Sequence, residues 1–257
     1  MKINEQQLPS WLELIHLEET DSTSNQIKHL PIKREMTVVT ANYQSAGRGQ
    51  RGNSWEAEKG ANLLFSILIS PREVTASQQF ILSQAISLAI AETLLTFCPG
   101  FQIKWPNDIY WQEKKLGGIL IENELQGKHI ERCIIGIGLN INQQVFHSNA
   151  PNPVSLAQIM GKNQDRDAVL LSILEKFHRL LQDIGQGETE QIISAYHKLL
   201  FRRDGFHLYR DENGIFSAAI DHVEPMGPIC LKDESGNLRY YAFKEIKVIL
   251  KDIELPN

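Results

Sequence analysis

Apolar and polar positions follow two rhythms along the 257-residue chain, and the changes of rhythm mark its elements. ELIHLEE, MTVVTA and NLLFSILI have strand length, are rich in aliphatic and β-branched residues, and are bounded by polar or turn-forming groups. Between the first two, Asp21, Ser22 and Thr23 make a polar turn that caps a short helix; Ser70-Pro71 ends the third strand. Over 77–98, Ile81, Ala85, Leu88 and Leu95 recur at helical spacing and predict the first long helix. FQIKW is then a short strand stopped by Pro106, and LGGILIENELQ pairs with HIERCIIGIGLNI as a hairpin across Gly127-Lys128. Helices are expected over 167–184 and 188–200. Beyond Arg203, HLYR, GIFSAAIDHVE, GPICLK and LRYYAF are short strands broken by ENG, PMG and ESGN turns. Their spacing predicts a small all-β barrel, so the chain divides into 1–203 and 204–257.

Composition narrows the partners. The apolar share of 42% is ample for a core, and 26 basic against 31 acidic residues give a net charge of -5, which argues against nucleic acid as the main partner. The first residues, MKINEQQLPSWLELIHLEE, contain no apolar signal-peptide core, and no run approaches the roughly eighteen apolar residues of a membrane span. Cys98, Cys133 and Cys230 are odd in number and far apart, fitting neither a disulfide framework nor a zinc spacing; reduced, buried thiols are expected. The picture is of a soluble, cytoplasmic protein.

The first candidate for chemistry is QSAGRGQRGNSW, whose GRGQRG satisfies G-x-G-x-x-G. A dinucleotide fold needs a helix after those glycines, but the next strand begins near Asn62 and only NSWEAEKGA intervenes, without an apolar stripe. The loop is therefore no Rossmann turn. Its glycines still let backbone N–H groups approach an anion, and Arg48 and Arg51 supply charge-assisted donors. A solvated basic loop would read the same way, and Trp55 suits either a base-stacking face or the core.

The second is KWPNDIYWQEKKLGGIL. Trp105-Pro106-Asn107-Asp108 makes a rigid turn, and Lys115 stands at the head of an apolar strand whose Gly117-Gly118 allows close packing on its backbone. An ammonium entering an apolar strand is costly without an anion, although Lys114-Lys115 could also be a solvated hairpin tip.

Together DST, QSAGRGQRGNSW, KWPND, KLGGILIE and GIGLNIN, in this order and spacing, closely resemble biotin–protein ligase, from about Glu13 through the C-terminal part. The resemblance implies an α+β fold: a mixed sheet with helices packed on one side, followed by a small SH3-like barrel. It implies that biotin and ATP, with Mg2+, form biotinyl-5′-adenylate and pyrophosphate, after which biotin passes to a lysine of a biotin carboxyl carrier domain, usually that of acetyl-CoA carboxylase. Ser22, Thr23 and Gln44 match head-group contacts of biotin, while Gly47, Gly118, Leu120 and Gly136 match its slot. Arg48 matches a loop arginine covering biotin and phosphate, and Lys115 the catalytic lysine. Asp108 matches a residue that orients or deprotonates the carrier's lysine, with magnesium ligation as its rival role. Arg51, Trp55, Asn62, Asn107 and Asn140 match positions on the nucleotide side, and the 45–57 loop would close over the adenylate.

Two departures qualify this. Gln50 replaces an arginine that many bacterial members carry. The first catalytic strand begins near residue 12, leaving no room for the helix-turn-helix of repressor members, so a monofunctional enzyme without DNA binding is expected, as monomer or homodimer. The rivals are lipoate–protein ligase, with an analogous reaction, and a non-catalytic module that holds an acyl-adenylate. The resemblance implies that the C-terminal part helps to close over ATP or to dock the carrier, and Lys244 stays open between supplying a positive charge there and a solvated edge-strand position.

Overall fold

The computed structural model describes residues 8–49, 53–147 and 152–250. Its first sheet is built from β1 (Leu12–Thr20), β2 (Met36–Gln44), β3 (Leu63–Ile69), β4 (Phe101–Lys104), β5 (Asp108–Trp111), β6 (Lys114–Gln126) and β7 (His129–Leu139). They lie in the order β1-β2-β3-β7-β6-β5-β4. β1 and β2 run parallel and the other pairs antiparallel, so the sheet is mixed. The second sheet, β8 (His207–Asp211), β9 (Gly214–Val223), β10 (Ile229–Asp233), β11 (Leu238–Tyr241) and β12 (Lys247–Val248), is antiparallel in the order β11-β10-β9-β8-β12. It is consistent with an SH3-like unit; among the described residues no ladder joins β11 to β12, so closure into a barrel is not seen.

Side-chain alternation divides the first sheet between two environments. On β3, Leu63, Phe65, Ile67 and Ile69 enter the main core, while Leu68 turns the other way to join Val39, Ile134 and Ile27. Ile27 belongs to α1 (Thr23–Lys28), which therefore packs on the face opposite the long helices. Those are α2 (Phe80–Leu94), α4 (Arg166–Gly185) and α5 (Glu190–Lys198); α3 (Leu156–Met160) is a single short turn set by a Ser155–Gln158 capping box. α2 is apolar all round, and it is buried all round, between the sheet and α4 and α5. α4 is amphipathic, burying Val169, Leu170, Ile173, Leu174 and Phe177, with Asp165 capping its first N–H groups. Truncating a side chain as enclosed as Phe177 costs about 3–5 kcal/mol.

Strands and helices fall where their periodicity predicts, with small shifts. α2 begins at Phe80 because Ala76–Gln78 form a separate 3-10 turn. β5 and β12 escape periodicity because four and two residues are too few to show alternation. The two sheets are joined by backbone and side chain: Phe80 N donates to Pro225 O at 3.2 Å, and Trp105 Nε1 donates to Gly227 O at 2.9 Å. No helix among the described residues is long and apolar enough to cross a membrane.

Candidate active site

A cleft of ≈ 1100 Å3 lies between α1, β6, β7 and the glycine-loop residues 48–49 and 53–56, and residues of the second sheet form its far wall. Its floor is rich in glycine. Gly118 pairs with Gly138, and Gly136 with Leu120, so Gly118, Gly136 and Gly138 leave bare backbone toward the same space beside the Leu120 side chain. A Cβ on Gly136 would lie 2.7 Å from Ser24 Oγ, and one on Gly138 would lie 2.6 Å from Trp55 Nε1. Glycine is required at both positions by this close approach, not by a special backbone conformation.

At one end sits a buried hydroxyl cluster. Gln44 Oε1 accepts from Thr23 N at 2.7 Å and from Thr23 Oγ1 at 3.0 Å. Ser66 Oγ lies 2.8 Å from Thr23 Oγ1 and 2.9 Å from Ser24 Oγ. Ser22 stands at the N-cap of α1 but its side chain makes no capping bond, and it lines the cleft. Asp21 supports this turn: its carboxylate accepts from Asn25 Nδ2, Gln26 Nε2 and Thr20 Oγ1. Those bonds, Asn25's first, hold its carboxyl well below the usual carboxylate range.

At the centre, Lys115 Nζ is 2.6 Å from Asp108 Oδ1, with 24% and 19% of the two side chains exposed. A bulge makes this possible. Ile109 pairs with Gly117 but Tyr110 pairs with Lys115, so Leu116 is an extra residue on β6. It enters the main core and reverses the alternation, turning Lys115 to the same face as Asp108 and Gly118. Lys114 is exposed, so only the first half of the Lys-Lys pair is a solvated tip. The Lys115 backbone is held at both ends by the 152–154 segment, donating from N to Asn152 O and accepting at O from Val154 N.

The glycine loop closes on itself. Trp55 N donates to Gly47 O at 2.9 Å, and Gly49 N to Asn53 O at 2.6 Å. Its indole lies on Gly138 and Gly118, with Nε1 buried and unpartnered. Lys115 Nζ is 5.9 Å from the indole ring centre. Arg48 lines the cleft and its Nη2 donates to Glu122 Oε2 at 3.0 Å, both side chains being well exposed. Gly47 lies just behind the lining, where a Cβ would meet Trp55 O. Gln50, Arg51 and Gly52 lie outside the described residues.

Asn107 and Asn140 both line the cleft; Asn107 Nδ2 donates to Ile119 O at 2.5 Å, and Asn140 Nδ2 to Val154 O at 3.3 Å. Asn62 does not. It is buried behind the wall, donating from Nδ2 to Gln143 Oε1 at 2.5 Å and accepting at Oδ1 from Ile141 N at 3.0 Å. It shapes the end of β7 instead of facing the cavity. Sequence reasoning missed Ser24 and Ser66; the Ser-Thr-Ser run at 22–24 and a lone serine inside LLFSILI were the only signals. Lys244, with Lys247 and Lys104, lines the cleft's outer part. With Arg48 and Lys115 these outnumber Glu56 and Asp108, the acids among the described lining residues, so the cavity favours an anion.

The comparisons agree with one another. The Biotin/lipoate A/B protein ligase family matches residues 16–140. Bifunctional ligase/repressor BirA of Bacillus spizizenii is 33% identical over 215 residues, covering 81% of this chain and 65% of that protein. Biotin–[acetyl-CoA-carboxylase] ligase of Paracoccus denitrificans is 31% identical over 173 residues, covering 63% of this chain and 70% of that protein. Among solved structures, biotin protein ligase from Aquifex aeolicus in complex with biotin and ATP superposes with a TM-score of 0.77 at 28% identity, covering 92% of this chain and 98% of that one. Matches to the BirA proteins span 50–65% of their length.

Proposed function

The chain belongs to the biotin/lipoate A/B protein ligase family, and from that membership and the cleft's geometry we propose that it is an ATP-dependent biotin–protein ligase. It joins biotin to ATP as biotinyl-5′-adenylate with release of pyrophosphate, then transfers biotin to a lysine of a biotin carboxyl carrier domain. Residues 1–203 form the catalytic unit and 204–257 a C-terminal unit that walls the cleft. The observation that carries this reading is a half-buried Lys115–Asp108 pair between a hydroxyl cluster and a glycine floor.

The parts divide the work. Ser22, Thr23 and Gln44 present hydroxyl and amide groups suited to a polar ureido ring, and the Gly136–Leu120 pair leaves width for a flat bicyclic body. Lys115 lies where its ammonium can bridge the biotin carboxylate and the α-phosphate, stabilising the charge that builds as the acid attacks phosphorus; no covalent lysine intermediate is required. Arg48 covers the phosphate from the loop, and Asn107, Asn140 and Trp55 take the nucleotide side; Arg51 is assigned to the phosphate by resemblance alone. ATP arrives as its magnesium complex, and the lining carboxylate of Glu56 offers an oxygen ligand of the kind that ion prefers, while Asp108 is left to orient or deprotonate the carrier's lysine. Closure of the 45–57 loop keeps water from the mixed anhydride.

The test is incubation with Mg-ATP, a carrier domain and either biotin or lipoate, followed by intact mass of the carrier. Biotin added to a single lysine supports the proposal. Addition of lipoate alone would reassign the head-group site, and an unmodified carrier would leave a binding module.

A further inference from the structure

On the side of the second sheet remote from the cleft, three kinds of metal-ligating side chain converge. Ile229 lines the cleft, and its neighbour Cys230 points to the opposite face. There it is paired across the ladder with His222 of β9 and with Tyr240 of β11. Asp221 joins them through a second bulge. His222 pairs with Cys230 but Ile220 pairs with Leu231, which leaves Asp221 as an extra residue on β9 and puts successive side chains on one face. One ligand atom each from Asp221, His222 and Cys230 lies within 4.8 Å of the others.

We propose that Asp221, His222 and Cys230 form a binding site for a divalent transition-metal ion, zinc being the ion their donor set fits best. Thiolate, imidazole and carboxylate are the usual ligands of tetrahedral zinc, whose bond lengths of about 2.0–2.3 Å put neighbouring ligand atoms ~3.5 Å apart. His222 Nδ1 lies 2.7 Å from Asp221 Oδ2, so a metal ion replaces the proton between them. The other ring nitrogen, Nε2, lies 3.0 Å from Glu224 Oε1, the carboxylate–histidine arrangement that fixes the ligating tautomer. Asp221 is exposed and His222 half-buried, so the ion has an open approach and a water completes the fourth position.

Binding deprotonates Cys230 and releases the proton to solvent; burial pushes this thiol up in the metal-free protein. The ion would tie the bulged strand β9 to β10. Since this face is separate from the cleft, the proposal stands whether or not the ligase reading does.

The probe is Co2+ added to chelator-treated protein without ATP. One equivalent should give the near-ultraviolet thiolate charge-transfer band and the visible bands of a tetrahedral site, both displaced by Zn2+. Cys133→Ser should keep them, and Glu224→Gln should weaken binding ~10- to 100-fold. Cys230→Ser should lose the thiolate band. Because Cys230 is fully enclosed, His222→Asn, at a half-exposed position, provides the second arm: it should still fold cooperatively and lose the site. Absence of a thiolate band in the unaltered protein, or its survival in folded Cys230→Ser or His222→Asn, overturns the proposal.

Discussion

Lys115 and Asp108 meet at 2.6 Å only because Leu116 is an extra residue that turns the lysine into the cleft. The pair gives each group a counter-charge before substrate arrives, which avoids the cost of burying an ammonium alone. Under the proposed mechanism, an adenylate phosphate would draw Lys115 away and leave Asp108 free to accept a proton from the carrier's lysine. Asp108→Asn should therefore leave adenylate formation within about tenfold of normal while slowing transfer ~10²- to 10⁴-fold. Rapid-quench measurement of the two half-reactions checks this; equal losses in both would assign Asp108 to positioning Lys115 alone.

Thr23 donates twice to Gln44 and shares its hydroxyl with Ser66. Thr23→Val keeps the shape and the backbone bond but removes the hydroxyl. A lost hydrogen bond of about 0.5–1.5 kcal/mol corresponds to a ~2- to 12-fold rise in KM for biotin. The KM for ATP should not move, and if it rises equally the cluster does not mark the biotin end.

Gly138 carries the Trp55 indole. In Gly138→Ala the new methyl occupies the ring's position, so the indole must leave the floor. The KM for ATP should rise at least about tenfold, the equivalent of 1.4 kcal/mol, with biotin binding little changed. Calorimetric titration of each substrate separates the two, and unaltered ATP binding would remove Trp55 from the nucleotide side.

His16 sits between Thr40 Oγ1, 2.9 Å from Nδ1, and Asn42 Nδ2, 3.3 Å from Nε2. Burial holds its pKa below the ordinary 6.5, against the opposing pull of Glu18 and Asp167. The unfolded chain therefore takes up a proton that the folded chain resists. Stability should fall as pH drops below about 6.5 and level off beneath the folded value. Urea midpoints measured across about pH 7 to 5 should decline less steeply in His16→Gln; parallel curves would show that this ring is not responsible.

Much of the fold was legible because long elements state their period plainly. MTVVTA, NLLFSILI and the Gly127-Lys128 hairpin each became the expected strands. The cleft's chemistry was legible through motif resemblance, which brought together Ser22, Thr23, Gln44, Arg48, Lys115 and Gly118 on one lining. Side-chain direction was not. A bulge is one unpaired residue and leaves no mark on periodicity, so neither the turn of Lys115 into the cleft nor the meeting of Asp221 with His222 could be read beforehand. For the same reason Cys230 showed no zinc spacing, since its neighbours come from an adjacent strand and include no second cysteine. Asn62 illustrates the opposite limit: a motif position tells where a residue lies in the chain, while its buried bonds to Gln143 and Ile141 place it behind the wall.

In the proposed reaction Lys115 stabilises charge as biotin attacks ATP, and native mass spectrometry of the protein with biotin and Mg-ATP, beside Lys115→Ala, is the decisive experiment. The unaltered protein should carry a bound mass increment equal to biotinyl-adenylate, and its formation should be slowed ~10²- to 10³-fold in a folded Lys115→Ala. Adduct formation at the normal rate in the variant, or a lipoyl-adenylate in place of the biotinyl one, would contradict it.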